Sequence, residues 1–159
     1  MIRAATKSAE DTRALGAALA SLVRAGDLIL LSGDLGAGKT TLAQGFARAL
    51  GVDEQVVSPT FVLARVYRGR LRLIHADAYR MDDLAEVGDL DLHEFLDDGG
   101  VGLVEWGDVI APVIPADYLE VRLDLGEADD DRHLGIRIVG PSWASRRPAI
   151  EALAERWPE

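Results

Sequence analysis

The chain has 159 residues, of which 48% are hydrophobic, and a formal net charge of −10 from 27 acidic and 17 basic side chains. This length supports one hydrophobic core, so we expect a single domain over residues 1–159. The absence of cysteine excludes a disulfide framework, a thiolate metal site and a cysteine nucleophile. The acidic balance argues against direct binding of a polyanion, and the short apolar runs predict no membrane span and a cytoplasmic location.

A strand and a helix open the predicted order of elements. Residues 2–6 have the pattern of a short strand, and Ser8 with Asp11 resembles the capping box that begins a helix. Gly26 is predicted to end that helix. The apolar residues that recur on one helical face are Leu15, Leu19, Leu22 and Val23. We expect this helix to be scaffold.

A buried strand and a second helix follow, joined by a glycine-rich turn. Residues 28–31 are all Leu or Ile, which is typical of a central strand covered on both faces. A helix is predicted over residues 41–50 and ends at Gly51. Its expected buried stripe consists of Leu42, Phe46, Ala49 and Leu50.

The turn between that strand and that helix is a phosphate-loop motif. Residues 33–40 read Gly-Asp-Leu-Gly-Ala-Gly-Lys-Thr, which matches G-x-x-x-x-G-K-T in its proper context. Its backbone N–H groups can close around phosphate oxygens at the positive end of the helix. Lys39 can reach the terminal phosphates, and the Thr40 hydroxyl can hold a bridging Mg²⁺. A chance match is disfavoured by the flanking strand and helix. We assign nucleotide binding to Asp34, Leu35, Gly36, Ala37, Gly38, Lys39, Thr40 and Thr41.

The rest of the chain alternates short strands and short helices. After a break at residues 58–60, the pattern predicts two hairpins, one further apolar strand and three helices. The hairpins join 61–67 to 71–76 and 119–125 to 134–138, the apolar strand covers 101–104, and the helices cover 82–87, 92–96 and 148–157. This order favours an α/β domain with a mixed parallel and antiparallel central sheet flanked by helices.

Two carboxylates are placed where a phosphate-loop site needs them. Glu105 ends the strand over 101–104, which we expect beside the strand over 28–31, so its carboxylate would emerge at the same sheet edge as Thr40. It is therefore a candidate Mg²⁺ ligand, with an exposed strand-end glutamate or a turn cap as the alternative. Asp77 follows the strand over 71–76 and is the candidate to orient or deprotonate an attacking water, with a plain turn aspartate as the alternative.

Two further residues have weaker signals. Thr60 lies in a proline-containing loop where nucleotide hydrolases often keep a switch that senses the γ-phosphate, although an ordinary turn threonine would look the same. His75 lies inside a strand pattern and is expected to be a satisfied buried histidine more often than a catalyst.

The residues alone leave three functions open. The first is a nucleoside triphosphate hydrolase. The second is a small-molecule kinase in which Asp77 deprotonates a substrate hydroxyl. The third is a nucleotide-gated binding module with negligible turnover. Guanine specificity is unsupported because the chain has no Asn-Lys-x-Asp sequence, and the D-x-x-G at residues 97–100 precedes a strand and is interpreted as a turn.

Four motifs together resemble the bacterial TsaE family, also called YjeE. They are the phosphate loop extended to Leu42, Ser58-Pro59-Thr60-Phe61, the H-x-D-x-Y-R sequence at residues 75–80, and Val104-Glu105-Trp106. The phosphate loop alone is shared with many families, whereas the combination in this order and spacing is specific. The resemblance covers the chain from the first helix to about Pro112.

This resemblance implies a small Mg²⁺-dependent ATPase with a P-loop NTPase-like fold. In that family the protein is required for the threonylcarbamoyl modification of adenosine 37 in tRNA. It works with the TsaD and TsaB proteins, its hydrolysis is weak without them, and it reaches tRNA only through them. The roles implied are phosphate and Mg²⁺ binding by Lys39 and Thr40, a switch-like loop at Thr60, hydrolysis at Asp77, Mg²⁺ ligation by Glu105, and proximity of Trp106 to the nucleotide. No family role is assigned to the acidic turn at residues 127–131.

Overall fold

The computed structural model describes residues 1–57, 64–77, 92–105 and 116–159. Its strands are β1 (Ile2–Thr6), β2 (Leu28–Ser32), β3 (Ala64–Arg68), β4 (Arg72–Asp77), β5 (Val101–Glu105), β6 (Tyr118–Leu125) and β7 (Arg132–Val139). Its helices are α1 (Ala9–Ala20), α2 (Lys39–Ala49), α3 (Leu92–Asp97), α4 (Pro141–Ala144) and α5 (Arg147–Ala154). No helix in these ranges has the length and apolar character needed to cross a membrane. The helix predicted over 82–87 lies outside the described residues.

One mixed sheet contains all seven strands, in the order β1-β7-β6-β2-β5-β4-β3. The strand β2 is central and parallel to both β5 and β6, and β4 is parallel to β5. The pairs β3–β4, β6–β7 and β1–β7 are antiparallel. The predicted mixed sheet and both predicted hairpins are therefore confirmed. Because β2, β4, β5 and β6 run in one direction, their C-terminal ends lie at a single edge of the sheet, which we call the carboxyl edge.

The central strand β2 is buried on both faces, as its unbroken apolar sequence predicts. Ile29 and Leu31 pack in the larger core cluster with residues of α1, α2 and α5. Leu28 and Leu30 pack on the opposite face with Leu92 and Leu96 of α3. Burial of each such side chain contributes about 1.5–3 kcal/mol. The loop that follows β2 therefore begins at a strand whose position is fixed by packing on both of its faces.

The first helix is shorter than its apolar pattern predicts. It begins as expected, because the Asp11 N–H donates to Ser8 Oγ at 3.0 Å. It ends at Ala20, so the prediction that it continues through Leu22 and Val23 was wrong. Two local contacts explain the early end: the Ser21 hydroxyl donates to the Ala18 carbonyl, and Asp27 accepts the Arg24 N–H at 2.6 Å. These side-chain bonds compete with helix continuation.

The second helix ends at Ala49, close to the predicted boundary at Gly51. Leu42, Phe46 and Leu50 are fully buried, as predicted. Ala49 was placed in the same stripe and is exposed, which corrects that prediction. The reason is that Ala49 falls at the margin of the apolar face of the helix, beside the fully buried Leu42, Phe46 and Leu50.

Candidate nucleotide site

The loop after β2 has a backbone that requires glycine at two of its positions. Gly33 has φ 137°, and a Cβ there would lie 2.3 Å from the Leu123 carbonyl oxygen of β6. Gly38 has φ 103° in the left-handed region and forms the N-cap of α2. Both conformations are costly for any residue with a side chain. Glycine at these two positions therefore lets the loop pass close to β6 and enter α2.

The N-terminus of α2 is arranged to receive an anion. The first N–H groups of a helix have no acceptor within it, and Gly38 supplies no side chain to cap them. The first turn of this 11-residue helix also contains no acidic side chain that would neutralise its positive end. Backbone donors and a favourable helix dipole thus meet at one place, which is the chemistry of phosphate binding.

Lys39 is held over the loop that precedes it. Its Nζ donates to the carbonyl oxygens of Gly33 at 2.6 Å and of Asp34 at 3.0 Å. The side chain is largely buried, whereas the next residues, Thr40 and Thr41, are half-buried at the start of α2. The tip of the loop, from Asp34 to Gly36, is exposed, and Ala37 is buried beneath it. The ammonium group therefore lies at the mouth of the loop, where its charge can face an anion.

Arg132 at the start of β7 holds the loop from the other side, a role that the sequence did not indicate. Its Nε donates to the Ala37 carbonyl at 2.8 Å, and its Nη2 lies 3.3 Å from the Gly36 carbonyl oxygen. Its Nη1 donates to the carbonyls of Asp129 and Asp131 at 2.8 Å each. One guanidinium thus joins the loop to the acidic turn between β6 and β7. No local pattern could reveal a contact between residues 95 positions apart.

The two predicted carboxylates lie side by side at the carboxyl edge. Asp77 is the last residue of β4 and Glu105 the last of β5, and the two are partners in the parallel register. Glu105 is also paired with Leu31, the residue of β2 that lies two positions before Gly33. Both carboxylates are buried. The sheet therefore brings Asp77 and Glu105 to the edge at which the phosphate loop begins.

His75 lies on the same face of β4 as Asp77, two residues earlier, and is completely buried. Its Nε2 is 3.5 Å from Glu105 Oε2, and within the described ranges neither ring nitrogen has a hydrogen-bond partner. The prediction of burial is confirmed, whereas the expectation that the ring would be satisfied was wrong. The strand pattern could show that this residue is buried but not which side chain of β5 it would face.

Two predicted site residues, Thr60 and Trp106, lie outside the described residues. Within the described segments, no group of three or more His, Asp or Glu side chains is placed to hold a metal ion. A Mg²⁺ ion bound through one or two protein oxygens together with phosphate oxygens needs no such cage. The described residues therefore fit a cation that arrives with a nucleotide better than a resident metal.

The phosphate loop between a central parallel strand and a helix, together with the mixed sheet, defines a P-loop NTPase-like fold. Residues 6–134 match the family model for the threonylcarbamoyl adenosine biosynthesis protein TsaE. The chain belongs to the TsaE family.

Similar proteins agree with this membership. A tRNA threonylcarbamoyladenosine biosynthesis protein TsaE from Streptomyces coelicolor is 46% identical over 147 residues, which are 88% of this chain and 99% of the relative. The Bacillus subtilis protein of the same name is 41% identical over 136 residues, covering 85% of this chain and 84% of the relative. The crystal structure of Bacillus subtilis YdiB superimposes with a TM-score of 0.77 at 33% identity, covering 98% of this chain and 95% of that one.

Proposed function

We propose that this protein is a cytoplasmic Mg²⁺-dependent ATPase that serves as an accessory factor in the threonylcarbamoyl modification of adenosine 37 in tRNA. The observation that carries the proposal is the meeting of a phosphate loop with two buried carboxylates at neighbouring strand ends. A loop that only bound phosphate would gain nothing from burying two acids beside it, since buried charge is costly. Hydrolysis of a nucleotide with a metal ion gives both acids a use.

In this proposal each residue of the site has its own role. The α2 N-terminus, Lys39 and the loop N–H groups bind the phosphates, and the Thr40 hydroxyl and Glu105 hold Mg²⁺. A Mg²⁺ ion held by these residues would supply positive charge to the phosphate oxygens. Asp77 orients the attacking water and can accept its proton. Thr60 and Trp106 keep their predicted roles, in a switch-like loop and near the nucleotide.

The tRNA role is supported by the names of the relatives, which are tRNA threonylcarbamoyladenosine biosynthesis proteins at 41–46% identity. The net charge of −10 makes a protein that would repel the phosphate backbone of tRNA at long range. We therefore propose that the protein reaches tRNA indirectly, through the TsaD and TsaB proteins, and that these partners stimulate its weak hydrolysis of ATP.

The experiment is phosphate release from ATP by the wild-type protein alone, with TsaD and TsaB, and with chelator in place of Mg²⁺. We expect slow release alone, a clear increase with the partners, and none without Mg²⁺. Lys39→Ala should abolish nucleotide binding, because it removes the charge held over the loop. Asp77→Asn should bind ATP normally and lose release by about 100-fold or more, which is the usual size of a general-base effect.

Two results would contradict the proposal. Unchanged phosphate release by Asp77→Asn, with binding abolished in Lys39→Ala, would mean that Asp77 takes no part in hydrolysis and would favour a binding module. Transfer of the phosphoryl group to a small hydroxyl compound in place of water would favour the kinase. The exposed Asp53, which lies beyond the end of α2, supplies the matched control as Asp53→Asn.

A further inference from the structure

The buried histidine of β4 faces the carboxylate at the end of β5. His75 has no exposed surface, Glu105 is 4% exposed, and the distance from Nε2 to Oε2 is 3.5 Å. This distance is too long for a good hydrogen bond, and a movement of about 0.5 Å would bring it into range. Among the described residues, both ring nitrogens lack a hydrogen-bond partner. The imidazole is therefore a polar group in contact range of Glu105 whose capacity to donate is unused in the described part of the chain.

An unsatisfied buried imidazole costs folding free energy, because water hydrated both nitrogens in the unfolded chain. A leucine at this position would avoid that cost, since Leu73, Ile74 and Ala76 around it in β4 are apolar. A purely structural role therefore explains its burial poorly. The contact with Glu105 explains it better, because a metal-binding carboxylate needs a donor on its second oxygen to fix its orientation.

We propose that His75 is a positioning residue for Glu105. Its Nε2–H holds one carboxylate oxygen and thereby leaves the other oxygen directed to the cation that accompanies the nucleotide. This inference rests on the proposed function, in which Glu105 is a Mg²⁺ ligand. His75 itself touches neither the nucleotide nor the cation, and it acts only through the carboxylate.

The test measures how much Mg²⁺ tightens nucleotide binding. The Kd for ADP is determined by calorimetry with EDTA and with excess Mg²⁺, and the ratio of the two constants is the Mg²⁺ enhancement. In His75→Leu we expect this enhancement to fall by about 10- to 100-fold, the range typical for loss of an outer-shell partner. The Kd in EDTA should stay within about twofold of the wild type. His75→Gln, which retains an N–H donor, should recover most of the enhancement.

Three controls separate positioning from general damage. His93→Leu removes an exposed histidine of α3 and should leave the enhancement unchanged. Leu73→Ala opens a cavity on the same face of β4, so it should lower the thermal midpoint without lowering the enhancement. Glu105→Gln should lower the enhancement by itself, and adding His75→Leu to it should have no further effect, because the two residues act through one carboxylate.

Each result bears on the proposal. An unchanged enhancement in His75→Leu overturns it, and so does an equal loss in His75→Gln and Leu73→Ala, which would mean that only packing matters. A loss in the double variant beyond that of Glu105→Gln would also overturn it, since His75 would then act by another route. Failure of the proposed function looks different: the wild type itself would show no Mg²⁺ enhancement, or Glu105→Gln would leave it unchanged.

A second measurement remains available if His75→Leu does not fold. The ¹⁵N chemical shifts of the His75 ring in the wild-type protein, assigned by comparison with His75→Gln, report which nitrogen carries the proton. We expect the proton on Nε2, the atom that faces Glu105. A neutral ring with its proton on Nδ1 would make Nε2 an acceptor, and this result would overturn the proposal.

Discussion

Two carboxylates at opposite ends of the central strands are equally buried, but among the described residues only one of them is paired with an arginine. Asp27, just before β2, is 5% exposed, and Glu105, at the end of β5, is 4% exposed. Asp27 binds Arg146 through two hydrogen bonds, of 2.5 and 2.8 Å, and also accepts the Arg24 N–H. Glu105 lies beside a second acid, Asp77, and its one ion-pair contact among the described residues is with His75 at 3.5 Å.

We interpret this difference as one between a structural acid and the acid proposed to act in the nucleotide site. Arg146 also donates to the Leu22 carbonyl and to the Ser142 hydroxyl, and its guanidinium lies 3.9 Å from the centre of the Trp143 ring. That network compensates the burial of both charges and joins α4 to the start of β2. The described residues give Glu105 no comparable compensation, and a buried acid left without a cationic partner is one that a ligand can use.

The largest expected effect is on the compensated acid. Arg146→Met removes one partner of a buried ion pair and leaves Asp27 as an unpaired charge, so we expect a loss of about 3–5 kcal/mol in the free energy of unfolding. Urea denaturation followed by circular dichroism measures this loss. The folded fraction should still bind ADP with Mg²⁺ as the wild type does, because the pair lies at the edge opposite the phosphate loop. A loss below about 1 kcal/mol would contradict a structural role for the pair.

A smaller effect is expected where one arginine holds the phosphate loop. Arg132→Met removes the hydrogen bonds to the carbonyls of Ala37 and Gly36, and bonds from charged donors contribute about 1.5–3 kcal/mol each at most. Amide hydrogen exchange of the loop should become at least about tenfold faster, while the exchange of β2 amides is unchanged. Arg132→Lys should slow the exchange of the loop amides only partly, since a single ammonium nitrogen cannot replace the three guanidinium nitrogens that bond the loop and the acidic turn together. Unchanged exchange in Arg132→Met would show that the loop keeps its shape without this contact.

Substitution of Glu105 should lower activity more than stability, whereas loss of the partner of Asp27 should lower stability. Glu105→Gln removes a buried charge without orphaning any cation in the part of the chain that the structure describes, so the free energy of unfolding should change by no more than about 1 kcal/mol and can rise. Phosphate release should fall by about 100-fold or more if Glu105 ligates Mg²⁺ as proposed. If Glu105→Gln were destabilised as much as Arg146→Met and kept its activity, Glu105 would be a structural residue like Asp27. The proposed difference between the two acids would then be wrong.

The smallest effect is expected for an exposed ion pair. Arg147 and Glu151 lie 3.5 Å apart on α5, and both side chains are about half exposed. Glu151→Gln should change the free energy of unfolding by less than about 0.5 kcal/mol, because water screens the pair. The same denaturation experiment measures it, and the value sets the scale for the buried pair of Asp27 and Arg146. A change above about 1 kcal/mol would mean that solvent exposure does not explain why the two ion pairs contribute differently to the free energy of unfolding.

Much of the fold followed from local patterns. The four apolar residues of β2 have the sequence of a strand covered on both faces, and the two hairpins have alternating or turn-bounded strands. The motif at residues 33–40 fixed the loop conformation, because its glycines occupy positions that other residues avoid. The end of α1 was misjudged because Ser21 and Asp27 stop the helix through side-chain bonds that hydrophobic periodicity does not detect.

The sequence by itself determined that this protein has a phosphate-loop motif between a strand and a helix, and which acids end the neighbouring strands. These properties are local, since each depends on residue types within a few positions. Only the tertiary structure decided that Glu105 lies in register with Asp77 and opposite His75, that Arg132 holds the loop, and that Arg146 neutralises Asp27. Those pairings join residues 28 to 119 positions apart, and their geometry is set by the order and register of the strands, which no local pattern contains.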